Sequence, residues 1–206
     1  MRTAHTWVRT AAAVVIAASL AATVRGADTL AIGAGMPQRD VEMKNVDGKM
    51  RTLADIAGEK GTLVIFSCNH CPFVKAWQKR MVAIGNEAVQ QGIGVVFVNA
   101  NDPARYPADD LDAMKKLAAG EGYRFPYVMD TTSGVAKAFG AKRTPEVFLF
   151  DADHKLVYHG AVDGNTYKPE QVKKPYLRDA IAALLAGEEV PAKTTKSVGC
   201  SIKFRK

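Results

Sequence analysis

The chain has 206 residues, of which 48% are hydrophobic and 24% are charged, and its formal net charge is +7. This length is enough for one domain with its own hydrophobic core, and this composition excludes a disordered, collagen-like or low-complexity chain. The three cysteines are too few for a disulfide-rich scaffold. The basic residues form no stripe interleaved with aromatic residues, so we predict no nucleic-acid partner.

Residues 1–26 have the pattern of a secretory signal peptide. Arg2 and Arg9 form a basic start without any acidic residue, and the apolar run Ala11–Ala22 follows them. This run is too short for a membrane-spanning helix, which needs about 20 residues. Cleavage after Gly26 would remove three arginines and reduce the net charge to +4. We therefore predict an exported protein, periplasmic or extracellular, without stable membrane insertion after cleavage; a retained N-terminal anchor is the alternative.

The mature chain is predicted to begin with a β-hairpin and to continue as strands and helices. Its first turn contains Asp47-Gly48, a pair that suits the positive φ angles of a hairpin turn. The apolar runs Thr62–Phe66 and Val95–Val98 predict strands that are buried on both faces. Hydrophobic periodicity and capping residues predict helices at about 71–91, 110–119, 133–139 and 176–186, and strands at 146–151 and 155–160.

The order of these elements predicts an α/β protein. Strands that alternate with helices build a mixed central sheet with helices on both faces. We find no boundary between two domains inside this pattern. The predicted organisation is a signal peptide at 1–26, one α/β domain at 27–189, and a basic C-terminal tail at 190–206 that contains Cys200.

Two cysteines separated by two residues are the strongest chemical signal in the chain. The segment Cys68-Asn69-His70-Cys71 lies between a predicted buried strand and the start of a helix. A thiol at a helix N-terminus faces unpaired N–H groups and the positive end of the helix dipole, and both lower its pKa. We therefore expect Cys68 to be the low-pKa thiol and His70 to add positive charge beside it. Cys71, one turn away, is close enough to form a disulfide with it.

Other interpretations of the cysteine pair have less support. A structural zinc site needs a second pair of ligands, and a haem attachment needs histidine where Pro72 stands. A permanently closed structural disulfide is another alternative, although so small a loop constrains the chain little. A Cu(I) site is the strongest of these alternatives, because Cys68 and Cys71 with a distant His154 or His159 would supply soft ligands.

Several segments resemble the thioredoxin superfamily, in its redoxin or peroxiredoxin-like branch of exported proteins. They are Gly48-Lys49 with Thr52–Asp55, Thr62–Phe66, the Cys-Asn-His-Cys-Pro-Phe-Val run at 68–74, the Arg-Thr-Pro-Glu run that opens 143–151, and Gly199–Phe204. The resemblance covers about residues 33–206. It implies a thioredoxin fold, with Pro145 in the cis form beside the cysteine pair and Thr144 offering its backbone to an incoming peptide.

The chain departs from the patterns of this superfamily at two points. Thioredoxins keep a buried acid six residues before the first cysteine, where this chain has Thr62. The resemblance to cytochrome-maturation thioredoxins makes Glu146 the substitute carboxylate, and a solvated carboxylate at a strand start is the competing interpretation. Peroxiredoxins need proline seven residues and threonine or serine three residues before the reactive cysteine, and neither Cys68 nor Cys71 has them.

The motif and the resemblance together predict an exported thiol–disulfide oxidoreductase. Cys68 is expected to attack and Cys71 to resolve, through a mixed disulfide. A thiol-dependent peroxidase is the alternative enzyme, and a copper-binding chaperone that uses the same two cysteines is the alternative without catalysis. We expect no cofactor and no resident metal; the expected partners are protein dithiols or disulfides and a redox partner protein. The supporting residues are Asn69, His70, Thr144, Pro145 and Glu146.

The third cysteine, Cys200, is left over once the pair is assigned. An odd cysteine in an exported protein indicates either a buried small hydrophobe or a reactive thiol. The first interpretation makes Cys200 a packing residue of the tail. The second makes it a third redox thiol, which attacks the active-site disulfide or pairs with another chain, and whose thiolate Lys196, Lys203 and Arg205 would favour.

Overall fold

The computed structural model describes residues 29–205, and the predicted signal peptide lies outside them. The strands are β1 Met43–Asn45, β2 Met50–Arg51, β3 Gly61–Phe66, β4 Ile93–Asn99, β5 Tyr127–Met129, β6 Arg143–Thr144, β7 Glu146–Phe150, β8 Leu156–Gly160 and β9 Cys200–Ser201. The α-helices are α1 Leu53–Ile56, α2 Pro72–Gln90, α3 Leu111–Gly120, α4 Gly134–Phe139 and α5 Tyr176–Ala186. No helix within residues 29–205 is both long and apolar enough to cross a membrane.

The central sheet has the order β2-β1-β5-β4-β3-β7-β8. Strand β4 runs parallel to β3 and β5, whereas β7 runs antiparallel to β3 and β8. The hydrophobic cores lie on the two faces of this sheet, since alternate residues of β3, such as Leu63 and Val64, belong to different core clusters. Helices α2 and α5 contribute to one core, and α1 and α4 contribute to the other. The predicted thioredoxin fold, a mixed sheet with helices on both faces, is confirmed.

Strand β1 joins the N-terminal segment to the sheet. It pairs antiparallel with β2 through Met43–Arg51 and Lys44–Met50, and its other edge pairs with β5. Gly48, in the connecting turn, has φ of 85°, a value that favours glycine. The first segment of the domain is therefore fixed to β5, and β4 separates β5 from β3, the strand that precedes the site.

Helix α2 is fixed by the apolar face that its periodicity predicts. Trp77, Met81 and Ala88 are buried on this face, and the Trp77 indole donates a hydrogen bond of 2.9 Å to Asp163 Oδ1. A buried indole N–H needs such a partner. Trp77 is thus a core residue, and it holds the helix that follows the cysteine pair against the domain.

The C-terminal tail is packed on the domain rather than free of structure. Strand β9 pairs antiparallel with β6, so that Cys200 faces Thr144 across the ladder. Ile202 is only 6% exposed and joins the core that contains α1 and α4. A two-residue strand has no periodic sequence signal, so the pairing of Cys200–Ser201 with β6 is not visible in the sequence.

Candidate active site

The cysteine pair lies where β3 gives way to α2. Ser67 extends β3 by donating its backbone N–H to Val98 O, and Cys68 follows it. Helix α2 starts at Pro72, so Cys71 is its N-cap residue. Cys68 and Cys71 are 1% and 0% exposed, and neither is in a disulfide. The two thiols are therefore a buried, reduced pair at the N-terminus of a long helix.

The segment around Thr144 lies directly against both sulfurs. The peptide bond between Thr144 and Pro145 is cis, as the resemblance implies. Cys68 Sγ is 3.3 Å from Thr144 Oγ1, and Cys71 Sγ is 3.2 Å from the backbone carbonyl oxygen of Thr144. The structure thus brings together residues that are more than 70 positions apart in the sequence.

A third sulfur completes this cluster. Because Cys200 pairs with Thr144 in the ladder between β6 and β9, its side chain reaches the cysteine pair. Cys200 Sγ is 2.8 Å from Cys71 Sγ, and Cys200 itself is partly exposed. The thiols of Cys68 and Cys71 also contact each other, so Cys71 touches both of the other cysteines.

His70 is partly exposed and contacts the buried carboxylate of Asp109. Its Nδ1 atom lies 2.6 Å from Asp109 Oδ2, and its ring stacks on Tyr106 with a centroid distance of 5.3 Å and an interplanar angle of 2°. A sulfur, a ring nitrogen and a carboxylate oxygen of Cys68, His70 and Asp109 all lie within 4.8 Å of one another. An imidazole this close to a thiol and a carboxylate can accept the proton of the thiol.

Asp109 is the site residue that the sequence analysis missed. It is 0% exposed, and it accepts hydrogen bonds of 2.7 Å from the Asn69 backbone N–H and 2.8 Å from Asn101 Nδ2. It ends a short 3-10 helix, Pro107–Asp109, just before the N-cap of α3. In sequence it looks like the first of two acids at a helix start, and nothing in its spacing connects it with a cysteine 41 positions earlier.

Asn69 fixes the loop between the two cysteines. Its side-chain Nδ2 donates to Ala108 O at 2.8 Å, and its Oδ1 accepts from the Tyr127 hydroxyl at 2.8 Å. Together with its backbone bond to Asp109, these contacts hold the loop to the segment before α3 and to β5. The supporting role that the sequence gives to Asn69 is thus a positional one in the structure.

Glu146 is buried beside Pro145, and its carboxylate is bound by groups other than the cysteines. Its Oε1 lies 2.8 Å from His159 Nε2, and its Oε2 accepts backbone hydrogen bonds from Lys142 and Arg143. These hydrogen bonds outweigh burial and lower the pKa of Glu146. The competing interpretation of a solvated carboxylate is wrong, since the residue is 3% exposed. Its carboxylate fixes the turn before β7, and the acid beside Cys68 is Asp109.

The structure reverses the expected order of the two thiol pKa values. The Cys68 thiol donates a hydrogen bond to Cys71, and this bond lowers the pKa of Cys71 to about 4 although burial acts in the opposite direction. Hydrogen bonds from the Cys200 thiol and from the backbone N–H groups of Val74 and Cys200 lower it further. The same hydrogen bond, burial and the charge of Asp109 raise the pKa of Cys68. Cys71 and not Cys68 occupies the N-cap, and these directions are opposite to the expectation from the sequence that Cys68 is the low-pKa thiol.

A titration of the reduced protein would test this order. We expect one thiolate with an apparent pKa near 4 in the wild-type protein, measured by absorbance at 240 nm. Cys71→Ser should remove this transition, because serine leaves no thiolate at the N-cap, whereas Cys200→Ser should only move it upward. A low-pH transition that survives in Cys71→Ser and disappears in Cys68→Ser would contradict the assignment.

The metal donors nearest to the cysteine pair are not those expected from the sequence. Within residues 29–205, the cluster of potential ligands that contains Cys68 includes His70 and Asp109. His159 is engaged by Glu146, and His154 lies in the turn between β7 and β8 with φ of 59°. The structure therefore gives no support to a copper site formed by the cysteine pair with His154 or His159.

A dithiol pair between a buried strand and a long helix, with a cis-proline segment against it, defines a thioredoxin-fold redox protein. Residues 32–159 match the model of the AhpC/TSA family. Since this match spans more than half of the chain, the protein belongs to the AhpC/TSA family.

Several proteins are similar to this chain over most of its length. A solved structure of an uncharacterized conserved protein from Geobacillus kaustophilus is 40% identical with a TM-score of 0.79, covering 85% of this chain and 93% of that one. A hypothetical protein from Sinorhizobium meliloti 1021 is 32% identical with a TM-score of 0.79, covering 86% and 97%. Thiol-disulfide oxidoreductase ResA from Halalkalibacterium halodurans is 25% identical over 154 residues, covering 73% of this chain and 83% of that protein.

Proposed function

We propose that the protein is an exported thiol–disulfide oxidoreductase that uses Cys68 and Cys71 as its redox couple. The observation that carries this proposal is the position of two buried thiols at the N-terminus of α2, each with its sulfur against Thr144. The similarity to ResA, a thiol-disulfide oxidoreductase by name, supports it. The signal-like sequence of residues 1–26 supports export, and an oxidising compartment is where such a couple meets protein disulfides.

In the first step Cys68 attacks a disulfide of the substrate. Its raised pKa means that the proton has to leave as the sulfur attacks, and His70 is the base within reach. Asp109, 2.6 Å from His70 Nδ1, stabilises the imidazolium that forms. One substrate sulfur leaves as a thiolate, and the other remains bound to Cys68 in a mixed disulfide.

In the second step Cys71 resolves the mixed disulfide. Because its pKa is low, Cys71 is ionised at neutral pH and can attack Cys68 Sγ without a base to remove its proton. The Cys68–Cys71 bond forms, and the second substrate sulfur leaves as a thiolate. The proposed roles are those expected from the sequence: Cys68 attacks and Cys71 resolves. Cys68 forms the mixed disulfide, and the thiolate character of Cys71 makes that intermediate short-lived.

The partners of this chemistry are protein disulfides or dithiols and a redox partner protein. A peroxide would need donors arranged around its two oxygens, and the proline and threonine that peroxiredoxins use for this purpose are absent from the sequence before either cysteine. Protein dithiols and disulfides react by exchange at sulfur and do not need such donors, so we propose them as the substrate class.

An insulin-reduction assay with the full chain and dithiothreitol tests the proposed function. We expect catalysed reduction, together with a Cys68–Cys71 disulfide in the oxidised protein. Its reduction potential, measured against glutathione, then gives the direction of electron flow, since a value near ~−120 mV indicates an oxidant and one near ~−270 mV a reductant. Rapid oxidation by hydrogen peroxide with no exchange with insulin would overturn the proposal and favour the peroxidase.

A further inference from the structure

The three sulfurs form a chain of contacts with Cys71 in the middle. Cys200 Sγ lies 2.8 Å from Cys71 Sγ, so a disulfide of about 2.05 Å would close after a movement of less than about 1 Å. Cys71 also contacts Cys68. Within residues 29–205, the compact donor cluster around Cys68 contains His70 and Asp109 and does not include Cys200. Cys200 is thus placed to react with Cys71.

The position of Cys200 is fixed by a packed segment on both of its sides. Before it, Gly199 O accepts a hydrogen bond of 3.0 Å from Arg143 Nη1; after it, the Ile202 N–H donates to Lys142 O at 3.0 Å. A Cβ on Gly199 would lie only 2.2 Å from the carbonyl oxygen of Thr144, so this residue has to be glycine for β9 to pair with β6. The contact between the sulfurs is a consequence of this docking.

We propose that Cys200 is a third redox residue, which takes over the disulfide of the buried pair by attacking Cys71. This inference rests on the proposed function, which supplies the Cys68–Cys71 disulfide. The Cys200 thiolate attacks Cys71 Sγ, the Cys71–Cys200 bond forms, and the Cys68–Cys71 bond breaks with its electron pair on Cys68. The proton lost by Cys200 is regained by Cys68 through solvent or His70, so the step needs no outside oxidant or reductant.

The transfer moves the disulfide from a closed position to an accessible one. Cys68 and Cys71 are at most 1% exposed, whereas Cys200 is partly exposed. A partner dithiol has to approach one sulfur of the disulfide along the S–S axis before it can reduce it. In the oxidised protein that sulfur is Cys200, and its attack by a partner protein regenerates the Cys71 thiolate inside the domain.

The charges around Cys200 favour the exchange only after the pair has been oxidised. In the reduced protein, burial together with the hydrogen bond to Cys71 and its negative charge raises the pKa of Cys200 to about 11. Once Cys71 is in a disulfide, it carries no charge, and the influence of Lys203, which lowers this pKa, is no longer opposed by it. Oxidation of the pair thus increases the thiolate fraction of Cys200.

Disulfide mapping of the full chain tests the inference. The protein is oxidised with one equivalent of diamide, alkylated with N-ethylmaleimide and digested with trypsin, which places Cys68 and Cys71 in peptide 61–75 and Cys200 in peptide 197–203. We expect these two peptides to be linked, with the alkyl group on Cys68. The outcome that overturns the inference is an internal disulfide in peptide 61–75 with Cys200 alkylated in every molecule.

Matched variants separate chemistry from packing. In Gly199→Ala the added Cβ should displace β9 and lower the yield of linked peptides at least about ten-fold, while the Cys68–Cys71 disulfide still forms. Ser201→Ala, on the same strand, should behave as the wild type. An equal yield of linked peptides in Gly199→Ala would contradict the docking that the inference requires.

A second measurement, the rate at which the oxidised protein is re-reduced, tests this inference separately from the proposed function. Re-reduction of the oxidised protein by reduced thioredoxin should be about ten-fold slower in Cys200→Ser, because the accessible sulfur is lost; insulin reduction driven by dithiothreitol tests the pair alone. Insulin reduction with unchanged re-reduction in Cys200→Ser would refute the role of Cys200 and leave the proposed function standing. Linked peptides without insulin reduction would refute the proposed function instead.

Discussion

Cys68→Ser is expected to lower the rate of insulin reduction at least about a thousand-fold, since a hydroxyl group does not exchange with disulfides. Cys71→Ser is expected to stop turnover at a later stage: the first attack still occurs, and the substrate remains bound to Cys68. Mass spectrometry of the trapped protein would detect one substrate chain per molecule. This difference between two cysteines follows from their separate contacts, with His70 and Asp109 near Cys68 and the helix N-terminus at Cys71.

Ser201→Ala provides the control for these variants, because it leaves all three cysteines intact and the hydroxyl of Ser201 hydrogen-bonds to Lys203. It should keep the rate of insulin reduction by dithiothreitol within about two-fold of the wild type. A covalent complex that accumulates in Cys68→Ser and not in Cys71→Ser would reverse the roles of the two cysteines. That outcome would indicate that the thiolate at the N-cap attacks the substrate directly.

Asp109→Ala is expected to lower the free energy of unfolding of the reduced protein by about 2–5 kcal/mol. The substitution leaves the Asn69 backbone N–H and the Asn101 side-chain amide without their acceptor, and each unsatisfied buried donor costs about 1–3 kcal/mol. It also removes the carboxylate beside His70. Urea unfolding, followed by circular dichroism, measures the change.

Asp110→Ala is the matched control for this variant. Asp110 is the neighbouring acid, exposed, and its side chain accepts only the N-cap hydrogen bond from Ala113 N–H among the contacts of α3, so its loss should cost about 1 kcal/mol. Equal destabilisation by the two substitutions would contradict the role given to Asp109. Asp109→Asn keeps the shape of the side chain, and by removing the charge it should lower the pKa of Cys68.

Periodicity and short motifs predicted the frame of the site. The strand before Cys68 and the helix after it follow from uninterrupted apolar residues and from a helical stripe that includes Trp77. The cysteine spacing predicts the proposed chemistry, and the resemblance implies the cis bond that the structure has at Pro145. Each of these features depends on residues that are close in sequence or on a recognisable motif, so the sequence alone could predict it.

Contacts between distant segments account for what the sequence analysis missed. Asp109 reaches the cysteine loop through a short helical turn that has no sequence pattern, and Cys200 reaches Cys71 through a strand of two residues. The order of the thiol pKa values depends on the hydrogen bond between the two thiols and on the residue at which α2 begins. Because Pro72 is the first helical residue, the favourable end of the helix acts on Cys71.

The N-cap position of Cys71 also links the redox state of the protein to its stability. A thiol whose pKa is about 4 in the folded chain and about 8.5 in the unfolded chain stabilises the fold fully above about pH 8.5, and this contribution is lost as the pH falls toward 4. The disulfide form has no ionisable group at this position. At neutral pH this thiolate therefore stabilises the reduced fold relative to the oxidised fold, which makes the disulfide easier to reduce. Because acidification protonates the thiolate, it reduces the difference in the free energy of unfolding between the two forms.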